Sequence, residues 1–243
     1  MNDQDTTTDL SERIASLDWD RIARDLDATG YALVPKLLDQ AECERLAASY
    51  DSAGAFRKTV VMARYRFGLG EYKYWTYPLP EIVQTLRQGL YPHLAPIVNE
   101  WLRKLGITPD LPDQFDQLRA LCHGKGQTQP TPLILRYGQG GFNTLHRDLY
   151  GDVYFPVQAV INLSEPGVDF EGGEFVLTEQ VPRAQSKAMA LSPRRGDMVI
   201  FTTNFRPVKG ARGYYRASVR HGVSEVRSGS RTAVGIIFHD ATS

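Results

Sequence analysis

The chain has 243 residues, of which 42% are hydrophobic and 23% are charged, and its formal net charge at pH 7 is zero. This composition is typical of a soluble globular protein that is long enough to bury a sizeable core. The longest apolar runs, such as residues 234–238, are far too short to cross a bilayer, which argues against a membrane-spanning protein and a membrane partner.

The N-terminal stretch MNDQDTTTDLSERI is polar and acidic, and it lacks the apolar segment of a secretory signal. The two cysteines, Cys43 and Cys122, form neither a disulfide framework nor a zinc-finger spacing. We therefore expect a cytoplasmic protein with reduced thiols.

Residues 1–120 are predicted to be mainly helical. The segment DWDRIARDLDATG has apolar residues at helical spacing and ends at Gly30, and DQAECERLAASYDSAG begins with Asp39, which can cap a helix. YALVPKLL is predicted to be a short extended piece between them. LPEIVQTLRQGLYPHLAPIVNEWLRKLG is predicted to form two helices divided near Pro92 or Pro96, because proline removes a helical hydrogen bond.

The stretch RYRFGLGEYKYWTYPLP is dense in aromatic residues. One interpretation is a lid that covers a site or stacks on a flat substrate, with Tyr72, Tyr74 and Trp75 as candidate substrate contacts. The alternative is a loop that packs most of its rings on the core.

From about residue 131 the sequence changes to short β-branched and aromatic runs separated by Gly, Pro, Asn and Asp, such as TPLILRYG, FPVQAVINLS and TAVGIIFHD. Many short strands at such intervals predict an antiparallel sandwich or barrel. No linker of distinct composition separates the two parts. We therefore predict one domain over residues 1–243, in which residues 1–120 support a β-core of residues 131–241.

The hexapeptide LHRDLY (145–150) places His146 and Asp148 two positions apart. In an extended segment the two side chains point to the same side. Alone, such a pair is commonly a surface pair. A third ligand, His221 in the predicted strand SVRHGVSEV, would complete the two-histidine, one-carboxylate set that non-haem Fe(II) oxygenases use.

Two further residues fit this hypothesis. Arg231 follows His221 by ten residues, after the predicted hairpin turn RSGS, and is expected to open the next strand beside that of His221. Its guanidinium can clamp the distal carboxylate of 2-oxoglutarate through two parallel hydrogen bonds. Tyr137, nine residues before His146, can donate another hydrogen bond to the same cosubstrate. Asn143 and Arg147 flank the ligands and are candidate substrate contacts.

The arrangement RY-x(8)-HRD…H-x(9)-R resembles that of Fe(II)/2-oxoglutarate-dependent dioxygenases with a double-stranded β-helix. GEYKYWTYPLP, GQTQPTPLILRYGQGGFNTLHRDLYG and RHGVSEVRSGSRTAVGIIFHDA are similar to one prokaryotic family, labelled as oxygenases for oxidative demethylation of damaged DNA. The resemblance covers roughly residues 55–241. The Tyr137–His146 stretch resembles the AlkB family, whereas the arginine spacing resembles the prolyl-hydroxylase branch.

The resemblance implies an α+β fold with a double-stranded β-helix core, of the jelly-roll or cupin-like type, supported by N-terminal helices. It implies iron ligation by His146, Asp148 and His221, binding of 2-oxoglutarate by Arg231, and O2 as oxidant. Because chlorinating relatives have a small residue in place of the carboxylate, Asp148 favours hydroxylation over halogenation.

Three functions remain open from the sequence. The first is oxidative demethylation of an alkylated nucleobase or nucleic acid, which the family label, the aromatic stretch and the basic segment 183–231 favour. The second is hydroxylation of a small molecule, an amino acid or a protein side chain, which the zero net charge and the arginine spacing favour. The third is a β-helix protein that binds a metal without turnover. The basic segment has an alternative interpretation too, as a solvated surface with counter-charges from elsewhere in the fold.

Overall fold

Two large antiparallel sheets and five helices make up the protein in its computed structural model, which describes residues 3–108 and 110–243, with side chains from residue 9 onward. The helices are α1 (Asp3–Ala15), α2 (Trp19–Thr29), α3 (Gln40–Ala48), α4 (Glu81–Lys104) and α5 (Phe115–Gly124). None of the helices among these residues has the length and apolar character needed to cross a membrane.

The strands are β1 (Tyr31–Val34), β2 (Phe56–Val61), β3 (Gly68–Leu69), β4 (Glu71–Trp75), β5 (Leu133–Tyr137), β6 (Phe142–His146), β7 (Val157–Asn162), β8 (Phe170–Gly172), β9 (Phe175–Gln180), β10 (Lys187–Leu191), β11 (Met198–Thr202), β12 (Phe205–Gly210), β13 (Gly213–Val223), β14 (Val226–Gly229) and β15 (Arg231–Ile236). One sheet has the order β1-β11-β7-β15-β5-β4-β2, and the other has the order β10-β9-β13-β6-β3 with β12 on β13. Strands β14 and β8 form a separate pair. This is the predicted α+β fold with a double-stranded β-helix core.

The side chains of the central strands alternate between two cores. On β15, Ala233 packs between the two sheets, whereas Val234 and Ile236 pack under the helices. On β7, Val160 belongs to the inter-sheet core and Ile161 to the helical one. Because alternate residues point to opposite faces, only every second side chain of these strands can reach the space between the sheets.

The predicted break in the long helix is wrong. Helix α4 runs from Glu81 to Lys104 and contains both Pro92 and Pro96. The two prolines lie four residues apart on the less buried side of the helix, so water can reach the carbonyl groups left without a partner. The opposite side packs buried residues such as Leu94 and Trp101 into the helical core, which keeps the helix continuous.

The part of the chain predicted to be mainly helical also supplies four strands, β1 to β4. β1 confirms the extended piece predicted between α2 and α3, whereas β2 and β4 extend the seven-stranded sheet beyond β5. The aromatic stretch 64–80 is accordingly not a simple loop, because it includes β3 and β4. The β-core therefore includes strands from well before residue 131.

Candidate metal centre

His146, Asp148 and His221 come together through the pairing of two strands. His146 is the last residue of β6, Asp148 follows two residues later, and His221 lies on β13 directly opposite His146. One potential ligand atom of each residue lies within 4.8 Å of the others. The Nε2 atoms of His146 and His221 lie 3.6 Å and 3.5 Å from the Asp148 carboxylate oxygens. The three side chains can therefore reach one divalent ion.

Each imidazole has a feature that favours metal binding through a ring nitrogen. The Nδ1 atom of His146 lies 2.7 Å from the carbonyl oxygen of Thr144, which can only accept a hydrogen bond. The proton of the neutral ring must therefore be on Nδ1, which leaves the Nε2 lone pair free for a metal. Burial lowers the pKa of His221 to about 4, so the ring of His221 is neutral near pH 7.

Gln158 holds the carboxylate of Asp148, and no pattern in the sequence pointed to this residue. It lies on β7, two positions before Val160, on the face that points between the sheets. Its side-chain amide donates a hydrogen bond of 2.9 Å to Oδ2 of Asp148. Asp148 lies beyond the end of β6, so this contact compensates for the missing strand pairing at that position.

Arg231 and Tyr137 are neighbours on paired strands, but Arg231 does not lie beside the strand of His221. Arg231 opens β15, which lies between β7 and β5 in the seven-stranded sheet, whereas β13 belongs to the other sheet. The expected hairpin is absent from this part of the structure because β14 pairs with β8 instead of β15. Arg231 thus reaches the space near His221 from the facing sheet.

The Arg231 guanidinium is buried without a counter-charge. Arg231 is 2% exposed and lies opposite Tyr137, which is 0% exposed. Neither Nη2 of Arg231 nor the Tyr137 hydroxyl has a hydrogen-bond partner, and the described residues include no carboxylate paired with Arg231. Burial lowers the pKa of Arg231 and raises that of Tyr137 to about 12. A buried cation beside a free hydroxyl donor is the environment that an anionic ligand would complete.

These groups line one cavity of about 360 Å³, a volume suited to a small organic ligand. Its wall includes the three candidate metal ligands together with Arg231 and Tyr137. Of the candidate substrate contacts, four line the same cavity: Tyr72, Tyr74, Asn143 and Arg147.

Trp75 does not line this cavity. It is fully buried in the helical core, where its ring lies 5.8 Å from that of Phe56. Side chains alternate along β4, so Tyr72 and Tyr74 share one face and Trp75 takes the other. Trp75 is therefore removed from the candidate substrate contacts, and Tyr150, which the sequence did not single out, lines the cavity.

A family described as "Oxygenase, catalysing oxidative methylation of damaged DNA" matches residues 70–241, which contain every residue of the cavity site named above. The chain belongs to this family. The uncharacterized proteins Rv2227 and MT2286, from two strains of Mycobacterium tuberculosis, are each 51% identical to the oxygenase over 164 residues. The match covers 68% of this chain and 70% of theirs.

Solved structures share the fold at low sequence identity. A Pseudomonas putida prolyl-4-hydroxylase has a TM-score of 0.56 at 17% identity and covers 92% of this chain and 100% of its own. A Trichoplax adhaerens prolyl hydroxylase has a TM-score of 0.58 at 14% identity, with 96% and 92% covered. A Burkholderia pseudomallei oxidoreductase of the 2OG-Fe(II) oxygenase family has a TM-score of 0.53 at 14% identity, with 93% of each chain covered.

The family and the fold confirm the predicted superfamily, and the chain is an enzyme of the oxygenase class. Two imidazoles and one carboxylate suit Fe(II) and leave coordination positions open. Family, fold and ligand set together support Fe(II), 2-oxoglutarate and O2 as metal, cosubstrate and oxidant of the oxygenase.

The basic segment 183–231 of the oxygenase contributes little to this cavity. Of its Lys and Arg residues, Arg231 is the one that lines the wall. Arg206 pairs with Glu179, and Arg195 pairs with Asp169. Counter-charges from elsewhere in the fold therefore neutralise part of the segment, as the alternative interpretation predicted.

We predict that Gln158→Leu lowers the metal affinity of the oxygenase by about 10- to 100-fold, the usual effect of removing a group that orients a ligand. The substitution leaves Asp148 free to turn away from His221, because its 2.9 Å hydrogen bond is gone. Titration with Mn(II), followed by electron paramagnetic resonance, measures the affinity. Gln158→Glu, which places a second negative charge beside Asp148, serves as the comparison. Unchanged affinity in Gln158→Leu would contradict an orienting role.

We also predict that the metal-free oxygenase loses stability on mild acidification. Burial lowers the pKa values of His221 and His239 to about 4 from 6.5. Between these values the unfolded chain binds protons that the folded chain does not bind, so the free energy of unfolding falls as the pH falls from about 6.5 to 4. At pH 5 the expected loss is about 2 kcal/mol for each histidine. Urea unfolding at pH 7 and pH 5 measures this loss. His239→Gln should reduce the difference in the free energy of unfolding between the two pH values. A difference equal to that of wild type would refute the assignment to His239.

Proposed function

We propose that the oxygenase hydroxylates a C–H bond of an organic substrate, with Fe(II) bound by His146, Asp148 and His221 and the distal carboxylate of 2-oxoglutarate bound by Arg231. The observation that carries the proposal is the buried guanidinium of Arg231, which has no counter-charge and shares a cavity with the two-histidine, one-carboxylate set. The dicarboxylate 2-oxoglutarate supplies the missing negative charge at Arg231.

When bound, Fe(II) with 2-oxoglutarate and O2 supplies the oxidation of a C–H bond to an alcohol, while 2-oxoglutarate gives succinate and CO2. The protein contributes position and shielding from water. Arg231 and Tyr137 lie on the seven-stranded sheet, where they would hold and orient the cosubstrate. Asp148 lines the same cavity, and Gln158 holds its carboxylate in place for the metal. The Tyr137 hydroxyl keeps its proton at neutral pH, since its pKa is about 12, and acts as a hydrogen-bond donor.

For the substrate, the proposal favours an N-alkylated nucleobase. Hydroxylation of an N-methyl group gives a hemiaminal, which releases formaldehyde and leaves the base demethylated. The family description names damaged DNA, and Tyr72 and Tyr74 supply rings on which a flat base can stack. The exposed side chain of Arg147 lies beside the ligands, where it can contact a phosphate.

The second candidate is hydroxylation of a small molecule, an amino acid or a protein side chain. The paired charges of the basic segment favour it, because they leave fewer cations to bind a phosphate backbone. The structural relatives named above include prolyl hydroxylases, but they support the fold alone.

Succinate formation from 2-oxoglutarate tests the proposed function. The assay compares wild type and His146→Ala with Fe(II) and ascorbate, in air and under anaerobic conditions. We expect O2-dependent succinate from wild type, a rate increased by a methylated oligonucleotide, and formaldehyde in equal amount. Stimulation by small hydroxylatable compounds alone would favour the second candidate. No succinate above the His146→Ala background with any substrate would refute the enzymatic proposal and favour a protein that binds metal without turnover.

A further inference from the structure

A second cavity of about 310 Å³ lies beside the first and shares its aromatic wall. Four residues line both cavities: Phe67, Tyr72, Tyr74 and Tyr150. The second cavity differs in charge, because Arg57 and Lys58 lie in its wall, together with residues 241–243. A ligand that reaches the metal centre along this aromatic wall therefore extends toward two cations.

A β-bulge places both cations on the same side of β2. Phe56 pairs with Trp75 and packs in the helical core, whereas Lys58 pairs with Tyr74 on the cavity side. Two steps along β2 thus match one step along β4, and Arg57 is the extra residue. In a regular strand, Arg57 and Lys58 would point to opposite faces. The bulge therefore turns the side chain of Arg57 toward the second cavity, to the same side as Lys58.

The two cations are available to an anionic ligand. The Nε atom of Arg57 donates to the Pro130 carbonyl oxygen at 2.8 Å, and its guanidinium lies 4.6 Å from the centre of the Tyr74 ring. These contacts fix the side chain without neutralising it. Within the part of the chain that the structure describes, neither Arg57 nor Lys58 forms an ion pair with a carboxylate. Partial burial of Arg57 strengthens its interaction with an anion, because water screens it less.

Tyr150 provides a polar group at the junction of the cavities. Its hydroxyl is buried and has no hydrogen-bond partner. A phenol hydroxyl can donate a hydrogen bond as well as accept one, and this one lies in the wall that the two cavities share. A buried hydroxyl without a partner is costly unless a ligand completes it. Tyr150 therefore provides a contact for a polar atom on the edge of a ring that lies along the aromatic wall.

We propose that the organic substrate of this oxygenase is a planar aromatic compound that carries an anionic group. The ring lies against Tyr72, Tyr74 and Phe67 with its polar edge at the Tyr150 hydroxyl, and the anion lies between Arg57 and Lys58. The inference rests on the proposed function for the position of the reacting carbon near the metal centre. The anion can be the phosphate of a nucleotide or the carboxylate of an aromatic acid.

Calorimetric binding under anaerobic conditions tests the inference without turnover. The protein is loaded with Mn(II) and 2-oxoglutarate, and each probe is compared with a neutral partner: N6-methyladenosine 5′-monophosphate with N6-methyladenosine, and 4-methoxybenzoate with its amide. We expect at least one anionic probe to bind about 10-fold or more tightly than its neutral partner. A preference for the nucleotide or for the acid identifies the source of the anion.

Charge variants locate the contact. We expect the preference for the anion to fall to about twofold or less in the Arg57→Gln, Lys58→Gln double variant and to survive in Arg57→Lys. Lys58→Gln alone changes an exposed side chain, so it gives a partial effect in a protein whose fold is not at risk. Tyr150→Phe should weaken the anionic and the neutral probe equally. The inference is overturned if neither pair shows a charge preference, or if the preference persists in the double variant. Loss of succinate formation with an intact charge preference would instead refute the proposed function alone.

Discussion

Asp148→Ala is expected to lower succinate formation by at least about 1000-fold and the affinity for Fe(II) or Mn(II) by more than about 100-fold. Asp148 is the only negatively charged group of the candidate ligand set, so its removal leaves two neutral imidazoles against a divalent cation. Removing groups that merely orient a ligand already costs 10- to 100-fold, and removing the ligand itself should cost more. Metal titration and the succinate assay measure the two effects separately.

Asp152→Ala is the matched control for this substitution. Asp152 is an exposed carboxylate four residues along the same loop, and it does not line the metal cavity. Asp148→Ala and Asp152→Ala remove the same charge from the protein, so a general electrostatic effect would appear in both. Comparable metal affinity in the two variants would show that the metal does not bind at Asp148.

Arg231→Met is expected to weaken 2-oxoglutarate binding by about 100-fold or more while leaving the free energy of unfolding unchanged or higher. Removing one partner of a buried charge pair costs roughly 2–5 kcal/mol of binding free energy. A loss of about 1.4 kcal/mol lowers the affinity tenfold. In the protein without cosubstrate, however, the guanidinium is buried without a counter-charge, and replacing it by an apolar side chain removes that penalty.

The opposite directions of the two effects make the Arg231 prediction specific. Calorimetric titration of 2-oxoglutarate into the Mn(II)-loaded protein measures the affinity, and urea unfolding measures the stability. Arg231→Lys retains the charge but not the planar pair of donors, so we expect an intermediate affinity. Strong destabilisation by Arg231→Met would indicate that the arginine is a structural residue, and unchanged affinity would place the cosubstrate elsewhere.

Local spacing was sufficient to predict five residues that the structure brings together in one cavity. His146 and Asp148 are two residues apart, and His221, Arg231 and Tyr137 all lie in runs whose β-branched and aromatic composition predicts strands. All five line one cavity in the structure. Strand periodicity has a strong local signal, and it fixes which side chains of a strand can point the same way.

Contacts between segments that are distant in the sequence could not be predicted from it. In the sequence, Gln158 is simply one polar residue in a predicted strand. Its amide reaches Asp148 only because β7 packs against the segment that follows β6. The continuity of α4 likewise depends on packing, because the proline pattern by itself favours a break. The sheet that contains Arg231 was mispredicted because neighbouring strands in sequence usually pair, whereas β14 pairs with β8.

The sequence by itself predicted the fold class from strand periodicity and the oxygenase family from the resemblance of its motifs, and its short spacings indicated candidate residues for binding a metal and an acidic cosubstrate. The tertiary structure decided which aromatic side chains face the cavity and which cations extend it. A single bulged residue, Arg57, changes the register of β2 against β4. Since a one-residue change in register reverses the direction of every following side chain, no pattern along β2 alone could predict where Arg57 and Lys58 point.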